Sequence, residues 1–389
     1  MSLVRSVAAL TAASAIVTGL DAAAGQVPPA AGDIGARITG LGSFDLSTRT
    51  EAARRLRRAS ADTVVPRLEQ AVRSHSDEYV RFRALVILAG MTRDARSLIQ
   101  DVMTDRNDRL RTVAYQWFEH HPEPGAVPAL VAALDRERSE FVRPALMRAL
   151  AAHGPDERVA RVLVPLVTRG EDLFRGALIE ALGDYRATYA TTAIAGVAKL
   201  DGPLQDDAVT ALGKIGDVSV RPVLAGLQKA AAAEVQPTIS AAFCLLGIDC
   251  ERQEAFLKDS LRFALTSAGD QPRLRGVVHA LGMLATSGRP WALAALLDAG
   301  AEARDAAREP VALTVGLVAL RRPDVLLDVL VERSDAADAY ELLLEAFDML
   351  SEDFEEERFY VQIRDAFWAA ADRSPRRRVA EGVMATLEF

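Results

Sequence analysis

The sequence predicts an all-α fold: an α-solenoid of about nine stacked helical hairpins, closed by a helical C-terminal cap. Three observations predict it. A short motif returns along most of the chain, with intervals of 30, 32 and 32 residues from Arg81 to Arg111, Arg143 and Arg175. The apolar residues inside each repeat follow an i, i+3, i+4, i+7 spacing, and no strand-length stretch alternates with period two. Polar helix starts and glycine helix ends recur in step with the motif.

The first element is a targeting segment. Arg5 supplies a short positive region and Ser6 to Leu20 is an uncharged Ala/Val/Leu-rich stretch. Ala22 and Ala24 then give a small-x-small pattern before Gly25. That order predicts a secretory signal peptide over residues 1–24, cleaved near Ala24, and hence a periplasmic or secreted protein. The apolar stretch is shorter than the roughly 20 residues that span a bilayer, so no integral membrane segment is expected after cleavage. Residues 25–43, with Pro28, Pro29 and several glycines, read as a flexible leader.

The array occupies residues 44–335. Each unit opens with a polar cap and a hydrophobic–arginine pair, followed by an Ala/Leu stripe. Val80-Arg81 leads into Ala84, Leu85, Leu88 and Gly90, and Phe174-Arg175 leads into Ala177, Leu178, Leu182 and Gly183. Leu110-Arg111, Val142-Arg143 and Leu274-Arg275 repeat the pattern. A second stripe follows in most units, as in Val127, Leu130, Val131 and Leu134. Two short helices per unit make a hairpin with two apolar faces, which only stacking on its neighbours can bury. Helices packed 8–10 Å apart then predict an elongated body on the order of 80–100 Å. Gly183, Gly213, Gly247 and Gly282 are expected at helix C-termini. Asp77, Asn107, Ser139 and Glu171 are expected at or near helix starts.

The cap occupies residues 336–389, where the helices lengthen and aromatic residues concentrate. Tyr340, Leu343, Leu344, Phe347 and Leu350 form one stripe, and Phe359, Tyr360, Ile363, Phe367 and Trp368 another. The acidic run from Glu352 to Glu357 reads most simply as a solvated face. A terminal unit must cover the last apolar surface of the stack; a docking site for a partner is the alternative.

The repeated unit resembles the HEAT-repeat family, in particular the short HEAT-like repeats of the phycobilisome-lyase type. The resemblance covers about residues 46–335 and is specific for fold while nearly silent on function. It implies that Arg81, Arg111, Arg143, Arg175 and Arg275 belong to a stacked polar ladder between units, with Gln205 and Gln236 at that position in two others. A guanidinium offers five donors in a fixed fork, suited to the carbonyls and carboxylates of the next turn. An anion-binding groove lined by these arginines is the sharper reading, but Asp77, Asp108, Glu140 and Glu171 lie close enough in sequence to neutralise it.

Composition narrows the function classes. The chain has 389 residues, half of them apolar, with a formal net charge of −8 and only four lysines. Arg5 and Asp21 cancel, so cleavage leaves that charge unchanged. This balance argues against a nucleic-acid partner, because phosphate binding needs a surplus of cations. None of the five histidines (His75, His120, His121, His153, His279) precedes a glutamate, so the paired His-Glu metal ligands of the HEAT-type hydroxylases are missing. No nucleotide-binding glycine loop or nucleophile elbow occurs. The residues call for no cofactor, no metal and no catalytic group.

Two smaller features complete the reading. Tyr115, Trp117 and Phe118, beside His120-His121, are either core aromatics or exposed anchors for a partner. With Phe359 and Tyr360 they are the candidate binding residues, since aromatics dominate interface hot spots. Cys244 and Cys250 flank Gly247, and a chain reversal there would bring them to disulfide distance; the alternative is one buried and one exposed thiol. The expected function is an exported scaffold that binds a protein partner through its solenoid surface. A lyase-like or other small-molecule-handling protein, and a cytosolic scaffold that keeps its N-terminus, are the alternatives.

Overall fold

A computed structural model of the chain describes residues 31–389 except 93, 268–270, 335 and 351–352. The signal segment and the start of the leader lie outside the described residues. The rest of the leader is ordered: α1 (Ala31–Gly40) is a helix, and Ile34, Ile38 and Leu41 are buried. This corrects the expectation of a flexible segment. The four-residue spacing of the two isoleucines gives a short helix one apolar stripe, enough to dock it.

Eighteen helices then make nine hairpins, and we label them in order. The first helices of the hairpins are α2 (Leu46–Arg58), α4 (Glu78–Met91), α6 (Asp108–His120), α8 (Arg143–Ala152) and α10 (Asp172–Asp184). They continue with α12 (Gln205–Ile215), α14 (Gln236–Leu245), α16 (Gln271–Thr286) and α18 (Arg308–Arg321). The second helices are α3 (Ala61–Ser74), α5 (Arg96–Val102), α7 (Val127–Arg136), α9 (Glu157–Leu163) and α11 (Thr191–Ala198). They continue with α13 (Arg221–Ala230), α15 (Cys250–Thr266), α17 (Pro290–Glu302) and α19 (Pro323–Val331). The C-terminal helices are α20 (Ala336–Met349), α21 (Asp353–Ala369) and α22 (Pro375–Leu387). No strand occurs among the described residues, and no helix among them is long and apolar enough to cross a membrane.

Local chemistry sets the helix starts. Asp77 accepts hydrogen bonds from the backbone N–H of Tyr79 and Val80, and Asn107 accepts one from Arg109. Proline occupies the first turn of α7, α8, α13, α14, α17, α19 and α22, where no N–H is needed. From α4 to α20 the even-numbered helices stack on one another as an inner layer. These helices touch neighbours on several sides, which is why Leu85, Val86, Ile87 and Leu88 are all buried in succession.

The inner layer packs closely enough to need glycine. A Cβ on Gly183 would lie 2.7 Å from the Cα of Ala211, and one on Gly213 would lie 2.8 Å from the Cα of Ala242. Gly282 likewise faces Thr314. These three were expected as helix ends; they are helix-crossing residues instead. Gly247 does end its helix, in a left-handed conformation with φ of 72°. Beside it, Cys244 and Cys250 are joined, with Cα atoms 4.2 Å apart.

The stack is not an extended rod. Its inner layer curves until α10 and α18 face each other across the interior, where Arg321 meets Glu180 and Asp184. The C-terminal helices complete the closure. α20 continues the inner layer on α18, and α21 touches both α18 and α4. Arg57 on α2 pairs with Glu357 on α21 at 2.6 Å, and Arg54 pairs with Glu388 at 2.7 Å. A Cβ on Gly90 would meet the side chain of Glu357 at 2.8 Å, so the glycine leaves the socket for that carboxylate. The acidic run is therefore not a solvated face: Glu355 and Glu357 are turned inward, and Glu357 is 1% exposed.

Candidate functional site

The inner helices enclose the site. A cavity of about 500 Å³ lies between α6, α8, α10, α18 and α21, and a second of about 680 Å³ lies between α10, α12, α16 and α18. They share Lys214, Thr286, Leu317 and Arg321 as a common wall.

Arg148, near the middle of α8, is the hub of the first cavity. Its Nε donates to Glu119 at 2.8 Å and one Nη donates to Asp184 at 2.9 Å. Asp184 also accepts from Lys214 at 2.6 Å and from Arg321 at 3.0 Å. Burial alone would raise the Asp184 pKa, but Lys214, Arg321 and Arg148 hold it well below the usual carboxylate range. The Tyr185 hydroxyl donates to Glu119 at 2.7 Å; burial, then the charge of Glu119, pushes its pKa far above the ordinary tyrosine value. On the opposite wall Glu355 receives His120 at 2.8 Å and Arg358 at 2.9 Å. Burial works against its charge, but the hydrogen bond and charge of His120, with Arg358, bring its pKa down to about 2.

Two arrangements resemble chemistry and differ from it in geometry. Thr210 Oγ1 lies 3.0 Å from His279 Nε2, and the nearest oxygen of Asp206 lies 3.7 Å from the same nitrogen. A nucleophile relay needs the nucleophile and the orienting carboxylate on opposite ring nitrogens of the histidine base. Glu119, His120 and Glu355 offer ligand atoms within 4.8 Å of one another, the spacing of a metal site. Arg148, Tyr185 and Arg358 already engage those carboxylates, so a dication would have to displace charge-assisted bonds.

The aromatic candidates fall elsewhere. Tyr115, Trp117 and Phe118 are 1%, 2% and 0% exposed, so they are core and not anchors. Trp117 stacks on His121 at 4.2 Å and meets Phe118 edge-on at 5.2 Å. Their stripe faces the inner-layer stack because α6 is covered by both α4 and α8. Phe359 is also fully buried, and Tyr360 stacks on Phe389 at 4.2 Å beneath Arg57, so this pair serves the closure and not a partner.

The arginine ladder holds in part. Arg81 donates to the carbonyl of Val72 at 2.8 Å and pairs with Asp105. Arg111 grips Glu137 with two bonds of 2.8 and 2.9 Å. Arg175 donates to the carbonyl of Val167 at 3.1 Å, and Arg143 stacks over Phe174 at 4.1 Å. Gln205 and Gln236 give the same service with an amide, to the carbonyls of Ala198 and of Gln228 and Ala231. Arg275 does not belong to the ladder: it is exposed on the wall of the second cavity.

Sequence reasoning missed the rung at Arg308, which donates to the Gly300 carbonyl at 2.7 Å and grips Glu345. Ala307 precedes it in place of a larger apolar residue. It missed the inner network as well. The available signal was a charged residue in the last turn of an otherwise Ala/Leu helix, as at Asp184, Lys214 and Arg321.

One family model and several solved structures are similar to this chain. A family model of HEAT repeats matches residues 95–183. No curated protein matches the sequence. Among solved structures, the complex of CpcE and CpcF of phycocyanin lyase from Nostoc sp. contains a chain 19% identical to this one. The alignment covers 65% of this chain and 94% of that one, with a TM-score of 0.40. Kap95p, from a complex with RanGDP, is 13% identical over 92% of this chain and 61% of its own, with a TM-score of 0.42. Importin beta is 13% identical over 92% and 52%, with a TM-score of 0.39. The chain thus spans most of the lyase chain but less than two thirds of either transport protein. Residues 95–183 match the HEAT-repeat model, and the described residues of the chain form an all-α solenoid.

Proposed function

We propose that this protein is an exported scaffold that holds a protein partner on the surface of its solenoid and performs no chemistry of its own. The observation that carries the reading is an apolar pair on one edge of the stack. Phe141 and Leu173 are 81% and 77% exposed. Each stands two residues before a ladder arginine, Arg143 or Arg175, so they occupy equivalent places on neighbouring units. Arg143 and Phe174, which neighbour them in sequence, stack on each other at 4.1 Å. Large apolar side chains repeated on one edge are the mark of an interaction surface. The export half of the proposal rests on the N-terminal sequence, Arg5 to Ala24.

Affinity capture from the cell envelope tests the reading, with the parent chain and a Phe141→Ser, Leu173→Ser variant compared side by side. The scaffold reading expects a defined protein retained by the parent and lost with the variant. Equal retention by both would move the interface elsewhere. Intact-mass analysis of the native protein tests export: a chain beginning after Ala24 is expected, and a retained Met1 contradicts it.

A further inference from the structure

The first inner cavity inverts the charge balance of the chain. In the whole sequence acids outnumber Lys and Arg by eight. On this wall Arg148, Arg186, Lys214, Arg321, Arg322 and Arg358 stand against three carboxylates, Glu119, Asp184 and Glu355. Glu180 and Asp324 reach Arg321 and Arg322 from outside the wall, and even with them the cations remain in excess. Arg148, Lys214 and Arg321 converge on Asp184, with Glu119 as a further partner of Arg148 and Glu180 of Arg321.

Arg186 is the cation left over. It is exposed at the cavity wall and takes no part in the ion pairs described above. Its backbone is left-handed, with φ of 50°, a conformation that favours glycine and disfavours an arginine. A strained position that nonetheless carries a long cationic side chain is a pointer to function. At the rim, Phe141 and Leu317 present apolar surface, and Gln116 and Ser287 add neutral polar groups. A volume of about 500 Å³ matches a small-molecule site.

We propose that this cavity binds a small organic anion bearing two or more oxyanion groups. Arg186, Arg148 and Arg321 take the oxyanions, with Lys214 behind them, and Phe141 and Leu317 cover the carbon skeleton. The low-dielectric walls focus the field of the cations on the ligand. The inference shares Phe141 with the scaffold reading but rests on the cationic wall, so variants at Arg186 and Lys214 test it separately.

Isothermal titration calorimetry on the full mature chain tests it with three probes: citrate, pyrophosphate and uncharged triethyl citrate. Saturable binding of citrate or pyrophosphate is expected, weakened by added salt, with no binding of the ester. The tighter of the two anions distinguishes a carboxylate from a phosphate ligand. Arg186→Gly suits the left-handed backbone and therefore folds, which its melting midpoint verifies. It should weaken binding about tenfold, the loss of one charge-assisted contact. Lys214→Met, which leaves Asp184 two arginine partners, should also weaken binding. Saturation by neither anion overturns the proposal, as does binding that both variants leave unchanged.

Discussion

The ladder edge and the inner closure use the same residue types for opposite purposes. On the edge, most ladder residues reach a carbonyl seven to nine residues back: Arg81 to Val72, Arg175 to Val167, Gln205 to Ala198, Arg308 to Gly300. Carboxylate partners there lie about one unit away, as with Arg111 and Glu137, 26 residues apart. Inside the curve Lys214 and Asp184 are only 30 residues apart, but the contacts that close the curve are remote: Arg321 and Asp184 are separated by 137 residues, His120 and Glu355 by 235, Arg57 and Glu357 by 300. The edge glues neighbours and would exist in a stack of any length. The closure exists only once the whole stack has formed and curved. Edge contacts therefore set the stability of single interfaces, whereas closure contacts set the cooperativity of the molecule.

Substitutions can break this contrast, and the largest effect belongs to the closure. Glu357→Ala leaves Arg57, 9% exposed, without its carboxylate. A loss of about 3–5 kcal/mol is expected in denaturant unfolding, because a buried charge is stranded. The C-terminal helices should also become open to protease.

Acid is the second lever. The Glu355 pKa is depressed in the folded chain to about 2 from an ordinary value of 4.5. Its contribution is complete above about pH 4.5 and disappears as pH falls toward 2, about 3 kcal/mol in all. Stability measured against pH should fall through that window in the parent, and more shallowly in Glu355→Gln.

Within the ladder the effects are smaller and unequal. Arg111→Ala strands Glu137, which is 4% exposed, and should cost about 2 kcal/mol by thermal or chemical melting. Reducing the Cys244–Cys250 bond releases a loop with a sequence separation of 6 and should cost about 2 kcal/mol. Mass analysis without reductant checks that the bond is present. Arg175→Ala frees only one carbonyl and the exposed Asp172, and about 1 kcal/mol is expected. An Arg175 effect as large as that of Glu357 would erase the distinction between edge and closure.

What was legible in the sequence follows the same division. The hairpins were legible because each is a local event: Val80-Arg81 and Phe174-Arg175 announce a helix start, and the Ala/Leu stripe announces a buried face. The curvature was not, because it is summed from small rotations at every interface. Gly183 and Gly213 illustrate the gap. A glycine near a helix end reads as a cap, and only the neighbouring Ala211 and Ala242 reveal that it is a crossing point. Tyr115 and Trp117 illustrate another, since an aromatic on a helix reads the same whether its neighbour is solvent or α8. The inner network escaped for the reason the closure did: nothing near Asp184 in sequence announces Arg321.

The distance between the two ends of the array tests the closure most directly. Nitroxide labels at Arg55→Cys and Ala385→Cys, both exposed positions that leave the Arg54–Glu388 pair intact, report it by double electron–electron resonance, with the native cysteines bonded to each other. The Arg54–Glu388 contact predicts one narrow population below about 30 Å, roughly three helix diameters. A population centred beyond about 60 Å, toward the roughly 80–100 Å span of an open stack of this many hairpins, would contradict it.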